Sequence, residues 1–437
     1  MATGLYLFQN DLRLHDNPAL ALATQEADHL ICVYCLPVDN ANRYPYHIDK
    51  HGIYRKQFLL QSLYNLAGQL SERGQSLHVI LEHPLNVLPE LISQYNVSMI
   101  YTSENAGVYE KRNWHTLKGR YPYITFRQIS THTLFDRTEL PFDINESLPE
   151  TFSQFRKQVE DFDIRSPLTT IAKLPPPPGR LKAFDVISSM INPKLLADFE
   201  GGERAALKHL EKYFSSDAPS NYKQTRNELD GWENSTKFSP WLALGCISAN
   251  MLIKHLSKYE KDVECNESTQ WIKFELLWRE YFQWYAHYHG AKLYSFSGIK
   301  KKNPHTAYYP ERFRRWTEGN TPYPLVNALM NQLRQTGYMS NRGRQIVASC
   351  LINELSLDWR YGAAFFEEHL IDYDTASNWG NWQYLAGVGA DPKENRHFNL
   401  EKQTEIFDPN GVFTRKWGGN NHDGSIDSVD AADWPIY

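Results

Sequence analysis

Short apolar runs alternate with amphipathic stretches along the first 130 residues of the chain. The apolar runs at 4–8, 30–36, 77–81, 97–102 and 124–129 are typical of buried parallel strands. The stretches at 18–26, 52–72, 85–95 and 107–119 have the apolar spacing of helices. This alternation predicts a doubly wound parallel sheet with helices on both faces. None of the runs is followed by a GxGxxG or Walker-type phosphate loop.

The pattern changes after residue 130. Residues 131–200 have no clear periodicity and contain the string PPPPG at 175–179, which predicts an extended connector. Beyond residue 200 apolar residues recur at helical spacing, in the segments 203–214, 249–259, 269–289, 325–337, 344–357 and 361–371. The sequence therefore predicts an α/β domain at 1–130, a connector at 131–200 and an all-α domain at 201–437. The acidic stretch 423–433 is expected to be loosely ordered.

Charge and aromatic content separate the two halves further. Eleven of the twelve tryptophans lie at or after Trp232, and only Trp114 precedes it. The formal net charge of −5 argues against an overall electrostatic nucleic-acid binder. Contacts with phosphates would therefore need a local basic patch.

The five cysteines have no pairing pattern, which predicts reduced thiols in a cytoplasmic protein. Cys32 and Cys35 have CxxC spacing but lie in an apolar run, so core filling is favoured over a redox or metal role.

His287 and His289 are two residues apart without acids at ligand spacing, and we expect no metal site. The sequence predicts neither a signal peptide nor a membrane-spanning segment.

The segment 372–389 combines side chains that suit a flat heterocycle with a polar edge. It reads as a loop, with glycines at 380, 387 and 389 that permit close approach of the backbone. Rings and hydrogen-bonding groups come from Trp379, Trp382, Tyr384, Asp372, Asp374 and Asn378. A redox-active ring system beside a tryptophan explains this combination better than core packing does.

One face of the helix predicted at 270–288 carries Glu275, Trp278, Arg279 and Phe282, at positions i, i+3, i+4 and i+7. One interpretation is a buried ion pair inside a helix bundle. The other is a cavity wall, in which Trp278 stacks on a base, Glu275 accepts hydrogen bonds from its edge and Arg279 contacts a phosphate or an acid.

Two further segments place polar residues ahead of helices. Asn341, Arg342, Arg344 and Gln345 follow Gly337 and predict a pocket floor or a phosphate contact, with an ordinary solvated first turn as the alternative. Ser235, Thr236 and Ser239 precede a helix that begins near residue 240. They are suited to bind a pyrophosphate there, although plain helix capping would explain them equally well.

Five motifs in order resemble the photolyase/cryptochrome flavoprotein family over nearly the whole chain. They are LFQNDLRLHDNPAL at 7–20, TKFSPWLALGCIS at 236–248, FELLWREYF at 274–282, SNRGRQ at 340–345, and the long string at 370–399 that begins LIDYDTASNWGNWQYLAGVG. The last two are similar to the forms found in the cryptochrome-DASH subgroup.

The resemblance implies that the helical domain binds a U-shaped FAD. The implied FAD-binding residues are Tyr222, Ser235, Thr236, Lys237, Phe238, Ser239, Arg344, Asp372, Asp374 and Asn378. Tyr222 and the run 235–239 would hold the phosphates, and Arg344 would pair with Asp372. Asn378 would face flavin N5. Glu150 resembles the acid that binds a 5,10-methenyltetrahydrofolate antenna in the N-terminal part of such proteins.

The resemblance also implies contacts with damaged DNA. The residues implied at a pyrimidine dimer are Glu275, Trp278, Asn341, Gln345 and Tyr384, and those implied on the rest of the DNA are Arg226, Arg279, Arg342 and Gln403. Trp382 and Trp359 match the inner two tryptophans of the family's electron-transfer chain. The outer position falls on Thr306, which leaves Tyr308, Tyr309 or Trp316 as substitutes.

The function that the resemblance implies is light-driven repair of cyclobutane pyrimidine dimers. Gln345 and Tyr384 stand where conventional photolyases carry Met and Trp, so the grip on a flipped-out dimer should be weaker. Single-stranded DNA, which needs little extraction, would then be preferred. The alternatives are a blue-light receptor that acts through a partner and a flavoprotein without photochemistry. We expect a monomer.

Overall fold

A five-stranded parallel sheet forms the N-terminal part of the computed structural model, which describes residues 2–37, 46, 51–179, 187–192, 194–195, 198–391 and 396–422. The strands are β1 Thr3–Phe8, β2 His29–Cys35, β3 Leu77–Ile80, β4 Val97–Ser103 and β5 Thr125–Ile129. Their order across the sheet is β3-β2-β1-β4-β5, and every pair is parallel. The predicted α/β fold class is confirmed.

The helices of this part are α1 Pro18–Glu26, α2 Ile53–Ser71, α3 Pro84–Tyr95 and α4 Val108–Arg120. Alternate strand residues bury opposite faces of the sheet. Leu5 and Val33 pack in one core with α3 and α4, whereas Tyr6 and Cys32 pack in the other. Cys32 is a buried free thiol in the second of these cores, and Cys35 is a partly buried free thiol that packs against the first. Removal from water raises the pKa of Cys35 to about 12, as expected for a thiol that fills space.

The region 131–200 is less irregular than its sequence predicts. It contains α5 Phe152–Val159 and the short 3-10 turns Arg137–Glu139 and Ser188–Met190. A capping box between Thr151 and Gln154 starts α5, and the buried side chains of Phe152 and Phe155 anchor it. Residues 175–178 of the polyproline stretch are in no helix or strand, and Leu30 N donates to Pro176 O at 3.1 Å. Domain boundaries at 130 and 200 stay predictions.

The C-terminal part is helical. Its α-helices are α6 Glu203–Phe214, α7 Ala218–Thr225, α8 Ser239–Ala243, α9 Ala249–Asp262, α10 Glu267–His289, α11 Pro310–Glu318, α12 Pro324–Thr336, α13 Asn341–Ser349, α14 Trp359–His369, α15 Thr375–Leu385, α16 Leu400–Phe407 and α17 Val412–Lys416. A π-helical turn, Cys350–Glu354, extends α13, and a 3-10 turn, Gly290–Tyr294, follows α10. The acidic stretch 423–433 lies outside the described residues.

The prediction of a loop at 372–389 was wrong, because Thr375–Leu385 forms α15. Asp374 caps this helix by accepting a hydrogen bond from Ser377 N at 2.7 Å. Gly380 lies inside the helix, where a Cβ atom would come within 2.4 Å of Phe282 Cδ1. The glycine therefore allows α15 to pack closely on α10 and does not bend the backbone.

A buried arginine joins the two parts of the chain. Arg13 donates to Gly245 O at 2.9 Å and to Thr131 O at 2.8 Å. Gly245 has φ 64°, and a Cβ atom there would lie 1.8 Å from Asn10 O. The N-terminal motif 7–20 therefore contacts the helical part directly, and the main hydrophobic core runs through both parts.

Gly245→Ala is expected to lower the free energy of unfolding by about 2 kcal/mol or more, because it adds left-handed strain and an overlap with Asn10. Chemical denaturation measures this loss. Gly119→Ala is the control, since no atom lies within 4 Å of its added Cβ and the residue is helical. Equal stability of the two variants would contradict the prediction.

Among the described residues, no helix is long and apolar enough to cross a membrane. Within the same ranges, no group of three or more His, Cys, Asp and Glu is arranged to hold a metal ion.

Candidate functional site

A cavity of about 220 Å³ lies between α7, α8, α9, α10 and the start of α15. Nine lining residues were proposed from the sequence: Tyr222, Thr236, Phe238, Ser239, Glu275, Arg279, Arg344, Asp372 and Asp374. Seven were missed: Phe214, Leu242, Ala243, Leu252, Ile272, Leu276 and Ser377. Most of the missed residues are apolar, and nothing in a helical pattern distinguishes an apolar cavity wall from core. The cavity joins an apolar surface to a few fixed polar groups, as ligand sites commonly do.

The polar end of the cavity is built around Asp372. Arg344 Nη2 donates to Asp372 Oδ2 at 2.7 Å, as the resemblance implies. Arg344 is fixed in turn because its Nε donates to Met339 O at 2.9 Å. The other carboxylate oxygen, Asp372 Oδ1, is buried and has no hydrogen-bond partner among the residues that the structure describes. A buried acceptor of this kind is suited to a ligand N–H group.

Asp374 and Asn378 lie one turn apart at the start of α15. Asp374 accepts from Gln283 Nε2 at 3.0 and 2.9 Å, so α10 holds this carboxylate in place. Asn378 is buried and donates from Nδ2 to Ala363 O at 2.9 Å, which fixes its amide against α14. Asn378 is not among the cavity-lining residues, whereas Ser377 is. Gln283 has a positioning contact that the sequence did not reveal.

The run 235–239 divides between the cavity and the protein interior. Thr236, Phe238 and Ser239 line the cavity, but Ser235 does not. Lys237 is buried with φ 56°, and its Nζ donates to Tyr338 OH at 3.3 Å. Its ammonium group also lies 4.7 Å from the centre of the Tyr338 ring. Lys237 is therefore held by a tyrosine rather than pointing at the cavity.

Glu275 forms an ion pair with Arg226, which follows α7, rather than with Arg279 on its own helix. Arg226 Nη1 donates to Glu275 Oε1 at 2.5 Å, and Trp271 Nε1 donates to the same oxygen at 3.0 Å. Removal from water raises the pKa of Glu275, while Arg226 and Trp271 oppose the shift. Glu275 therefore lines the cavity and also forms a partly exposed ion pair, and its contact with a base stays a prediction.

Arg279 turns away from Glu275. Its Nη1 donates to His132 O at 2.6 Å, which ties α10 to the segment after β5. It also lines the cavity. A phosphate contact from Arg279 stays a prediction.

The aromatic residues next to Glu275 pack on one another. The Trp278 ring is stacked on Phe152 with centroids 3.8 Å apart, and it meets Tyr384 edge-on at 5.8 Å. The guanidinium of Arg396 lies 4.5 Å from the Tyr384 ring centre and donates to the Tyr384 hydroxyl. Asp391 accepts from Arg396 and holds it there. Phe152 was missed because it comes from a distant part of the chain. Arg396 lies only 12 residues after Tyr384, within the motif 370–399, and was missed because the sequence does not show which side chains of that motif meet.

Basic and amide side chains lie on the same side as Arg226. Arg342 Nη2 donates to Asn227 Oδ1 at 3.2 Å, and its guanidinium lies 5.0 Å from the Phe407 ring. Burial and the charge of Arg226 lower the pKa of Arg342. Gln403 is one turn before Phe407, and its buried Oε1 has no hydrogen-bond partner within the described ranges.

Asn341 and Gln345 lie on the first turns of α13, which Ser340 caps. Asn341 is exposed and Gln345 is half-buried. Glu150, the residue proposed for the folate, is exposed in the loop before α5. Its backbone oxygen accepts from Tyr281 OH at 3.0 Å. The DNA contacts of Asn341 and Gln345 and the folate contact of Glu150 stay predictions.

The two tryptophans proposed for electron transfer are buried. Trp382 lies against Gly362, where a Cβ atom would come within 2.3 Å of Trp382 Cη2. Trp359 is the first residue of α14, one turn before Gly362, and its Nε1 donates to Phe296 O at 3.0 Å. Thr306 Oγ1 is buried and has no hydrogen-bond partner in the part of the chain that the structure describes.

Comparison with known proteins adds the family. A family model described as DNA photolyase matches residues 4–178, and one described as the FAD binding domain of DNA photolyase matches residues 271–422. A curated cryptochrome DASH from Idiomarina loihiensis is 52% identical over 99% of this chain and 96% of its own length. The chain belongs to the cryptochrome-DASH group of the photolyase/cryptochrome family.

Solved structures of this family have the same fold. A Synechocystis cryptochrome is 38% identical, with a TM-score of 0.89 over 95% of this chain and 88% of its own. A class III photolyase from Agrobacterium tumefaciens is 27% identical, with a TM-score of 0.80 over 95% and 86%. The cryptochrome-DASH chain therefore has an FAD-binding domain, and the cavity fits that cofactor because Asp372 Oδ1 offers an unpartnered buried acceptor for a ring N–H.

Proposed function

We propose that this cryptochrome-DASH protein repairs cyclobutane pyrimidine dimers by light-driven electron transfer, preferentially in single-stranded DNA. The observation that carries the proposal is the position of Glu275. It lines the cavity and also pairs with Arg226, whose charge acts on Arg342. One helix, α10, would therefore present the cofactor on one side and a damaged base on the other.

The side chains would position the reactants, and the cofactor would supply the electron. Light-driven one-electron chemistry at the dimer would come from reduced FAD when it is bound. Asp372 would accept from the heterocycle while Arg344 balances its charge. Glu275 would accept from the pyrimidine edge, and Arg226 and Arg342 would contact flanking phosphates. Asn378 would keep its amide at a fixed orientation because Ala363 O holds it.

The proposed preference for single-stranded DNA rests on how much apolar contact the site would make with an extracted dimer. Arg396 contacts both the ring and the hydroxyl of Tyr384. An extracted dimer would therefore meet a polar group at the position where conventional photolyases carry the larger apolar ring of Trp. Gln345 adds a second polar side chain. Flipping a dimer out of duplex DNA costs a few kcal/mol, and a weak apolar grip does not offset that cost.

The test is repair of an oligonucleotide that contains one thymine dimer, by chemically reduced protein under blue light. We expect restored thymines in the single strand and much slower repair in the duplex. A protein that binds and reduces FAD yet restores no thymine on single strands would overturn the proposal.

Restoring the apolar residues should shift the substrate preference. We expect Gln345→Met with Tyr384→Trp to raise the ratio of duplex to single-strand repair by about fivefold, since added apolar contact is worth about 1 kcal/mol here. The control is Tyr123→Trp, because Tyr123 is 75% exposed in the N-terminal part. An unchanged ratio would mean that these two positions do not set the preference.

We also propose that Glu150 binds a methenyltetrahydrofolate antenna. The support is its exposed position in the loop before α5, where Tyr281 OH and a capping box fix the backbone. Purification with added folate, followed by an absorption spectrum, tests this. Loss of folate absorbance in Glu150→Gln but not in Glu146→Gln, four residues earlier in the same loop, is the expected result. Equal folate content in both variants would contradict it.

A signalling role is the second candidate function. It is favoured by the similarity to a protein titled as a cryptochrome, which exceeds the similarity to the class III photolyase. Light-dependent binding of a partner without repair would support it.

A further inference from the structure

A line of aromatic rings leads from the buried tryptophans to the surface. Trp359 meets Trp379 with centroids 5.9 Å apart, and Trp379 meets Tyr46 at 6.4 Å. Tyr46 meets Tyr361 at 4.9 Å, and Tyr361 is stacked on Tyr308 at 4.1 Å with 14° between the planes. Neighbouring rings along this line are in contact or nearly so.

A second line of rings begins at Trp382 and also leads to Tyr361 and Tyr308. Trp382 meets Trp316 at 6.4 Å, and Trp316 is stacked with Phe313 at 6.1 Å. Phe313 contacts Tyr361 at 5.6 Å and Tyr308 at 6.0 Å. Both lines therefore end at the stacked pair of Tyr308 and Tyr361.

The end of a path for electrons needs a ring that can be oxidised and that reaches water. Tyr308 is 42% exposed, whereas Trp316 is 0% exposed. Tyr309 is partly buried and lies under the guanidinium of Arg312, 4.6 Å from its ring centre. A cation in that position opposes the loss of an electron from the ring. Of the three substitutes that the sequence left open, the structure favours Tyr308.

We propose that Tyr308, stacked on Tyr361, is the solvent-facing electron donor that refills the buried tryptophans during photoreduction of the cofactor. The inference rests on the proposed function, since it assumes a light-excited oxidised flavin that takes one electron from a buried tryptophan. Tyr308 loses one electron to the resulting hole and its phenolic proton to water, which leaves a neutral tyrosyl radical. A thiol in solution then returns one electron and one proton to Tyr308.

The stack suits this role on physical grounds. Face-to-face contact at 4.1 Å allows charge to be shared between the two rings, and exposure of one ring lets its proton leave to water. Packing alone would explain the stack equally well if the hydroxyl of Tyr308 were irrelevant. Tyr308→Phe separates the two explanations, because it keeps the ring and removes only the group whose proton must leave.

The test measures photoreduction of FAD-loaded protein under blue light with dithiothreitol, together with electron paramagnetic resonance of the radical. We expect Tyr308→Phe to slow photoreduction severalfold and to abolish the long-lived tyrosyl radical. Tyr308→Trp should restore the rate with a tryptophanyl signal, and Tyr309→Phe, the matched control, should behave as the unsubstituted chain. An unchanged rate and radical in Tyr308→Phe would overturn the proposal.

Separate measurements test the electron path through Tyr308 and the proposed repair activity. Chemically reduced, unsubstituted protein needs no outer donor, so its repair of a dimer tests the proposed function alone. Absence of repair there would overturn the proposed function, whereas photoreduction that ignores Tyr308 would overturn only the electron path.

Discussion

Asp372→Asn is expected to raise the dissociation constant of FAD by about a hundredfold, equivalent to about 3 kcal/mol. The substitution removes the charge that pairs with Arg344 at 2.7 Å and replaces one acceptor oxygen by a donor. Whichever way the amide turns, one N–H group then faces either a guanidinium or the N–H of the ligand. Flavin absorbance of the purified protein and titration of the apoprotein with FAD measure the effect.

Asp230→Asn is the matched control for this prediction. Asp230 also pairs with a cation, Lys416, but both side chains are largely exposed, and pairs of that kind contribute little. We expect this variant to bind FAD as the unsubstituted chain does. Because a misfolded variant would also lose FAD, thermal unfolding of both apoproteins is compared. Normal FAD affinity of a folded Asp372→Asn variant would show that this cavity is not the flavin site.

Glu275→Ala is expected to lower the repair rate by about tenfold or more per bound FAD. The alanine removes an acceptor from the proposed pyrimidine contact and leaves Arg226 without its partner at 2.5 Å. Repair is measured with chemically reduced protein on a single-stranded dimer, and FAD content is determined for each variant. Glu267→Ala is the control, since Glu267 lies on the same helix in an exposed pair with Lys223. Equal repair by both variants would exclude a role for Glu275.

The raised pKa of Glu275 gives this prediction a pH signature. Repair by the unsubstituted chain should fall as pH drops through that raised pKa, because the protonated carboxyl no longer carries the charge that holds Arg226. Glu275→Gln keeps an acceptor oxygen but does not titrate, so its repair rate should lack this step. A series of initial rates over pH distinguishes the two, and an identical pH profile would contradict the assignment.

The same shift has the opposite consequence for stability. A carboxyl whose pKa is higher in the folded state binds its proton more tightly there, so this group lowers stability as pH rises from its ordinary pKa of 4.5 towards the raised value. Relative to the unsubstituted chain, Glu275→Gln should therefore gain stability over that window. Denaturation at several pH values measures the difference.

The sequence alone determined the elements of the N-terminal sheet and indicated every polar cavity-lining residue named above except Ser377. Alternating apolar runs set strand positions to within about two residues, because burial on both faces of a parallel sheet requires continuous apolar side chains. The motifs around Arg344 and Asp372 identified a pair that the structure places 2.7 Å apart. These features are local in the chain or belong to strings specific enough to indicate their family.

The tertiary structure alone decided which side chains meet across long separations. Glu275 pairs with Arg226 rather than Arg279, and Trp278 is covered by Phe152. Within the motif 370–399, the tertiary structure also decided that Arg396 holds Tyr384. It also turned the glycine-containing segment after Asp374 into a helix, since Gly380 packs under Phe282. Periodicity reports which face of an element is buried, but it carries no information about the element that buries it. Partners, and with them the stacked pair of Tyr308 and Tyr361, are chosen only when the helices pack together in three dimensions.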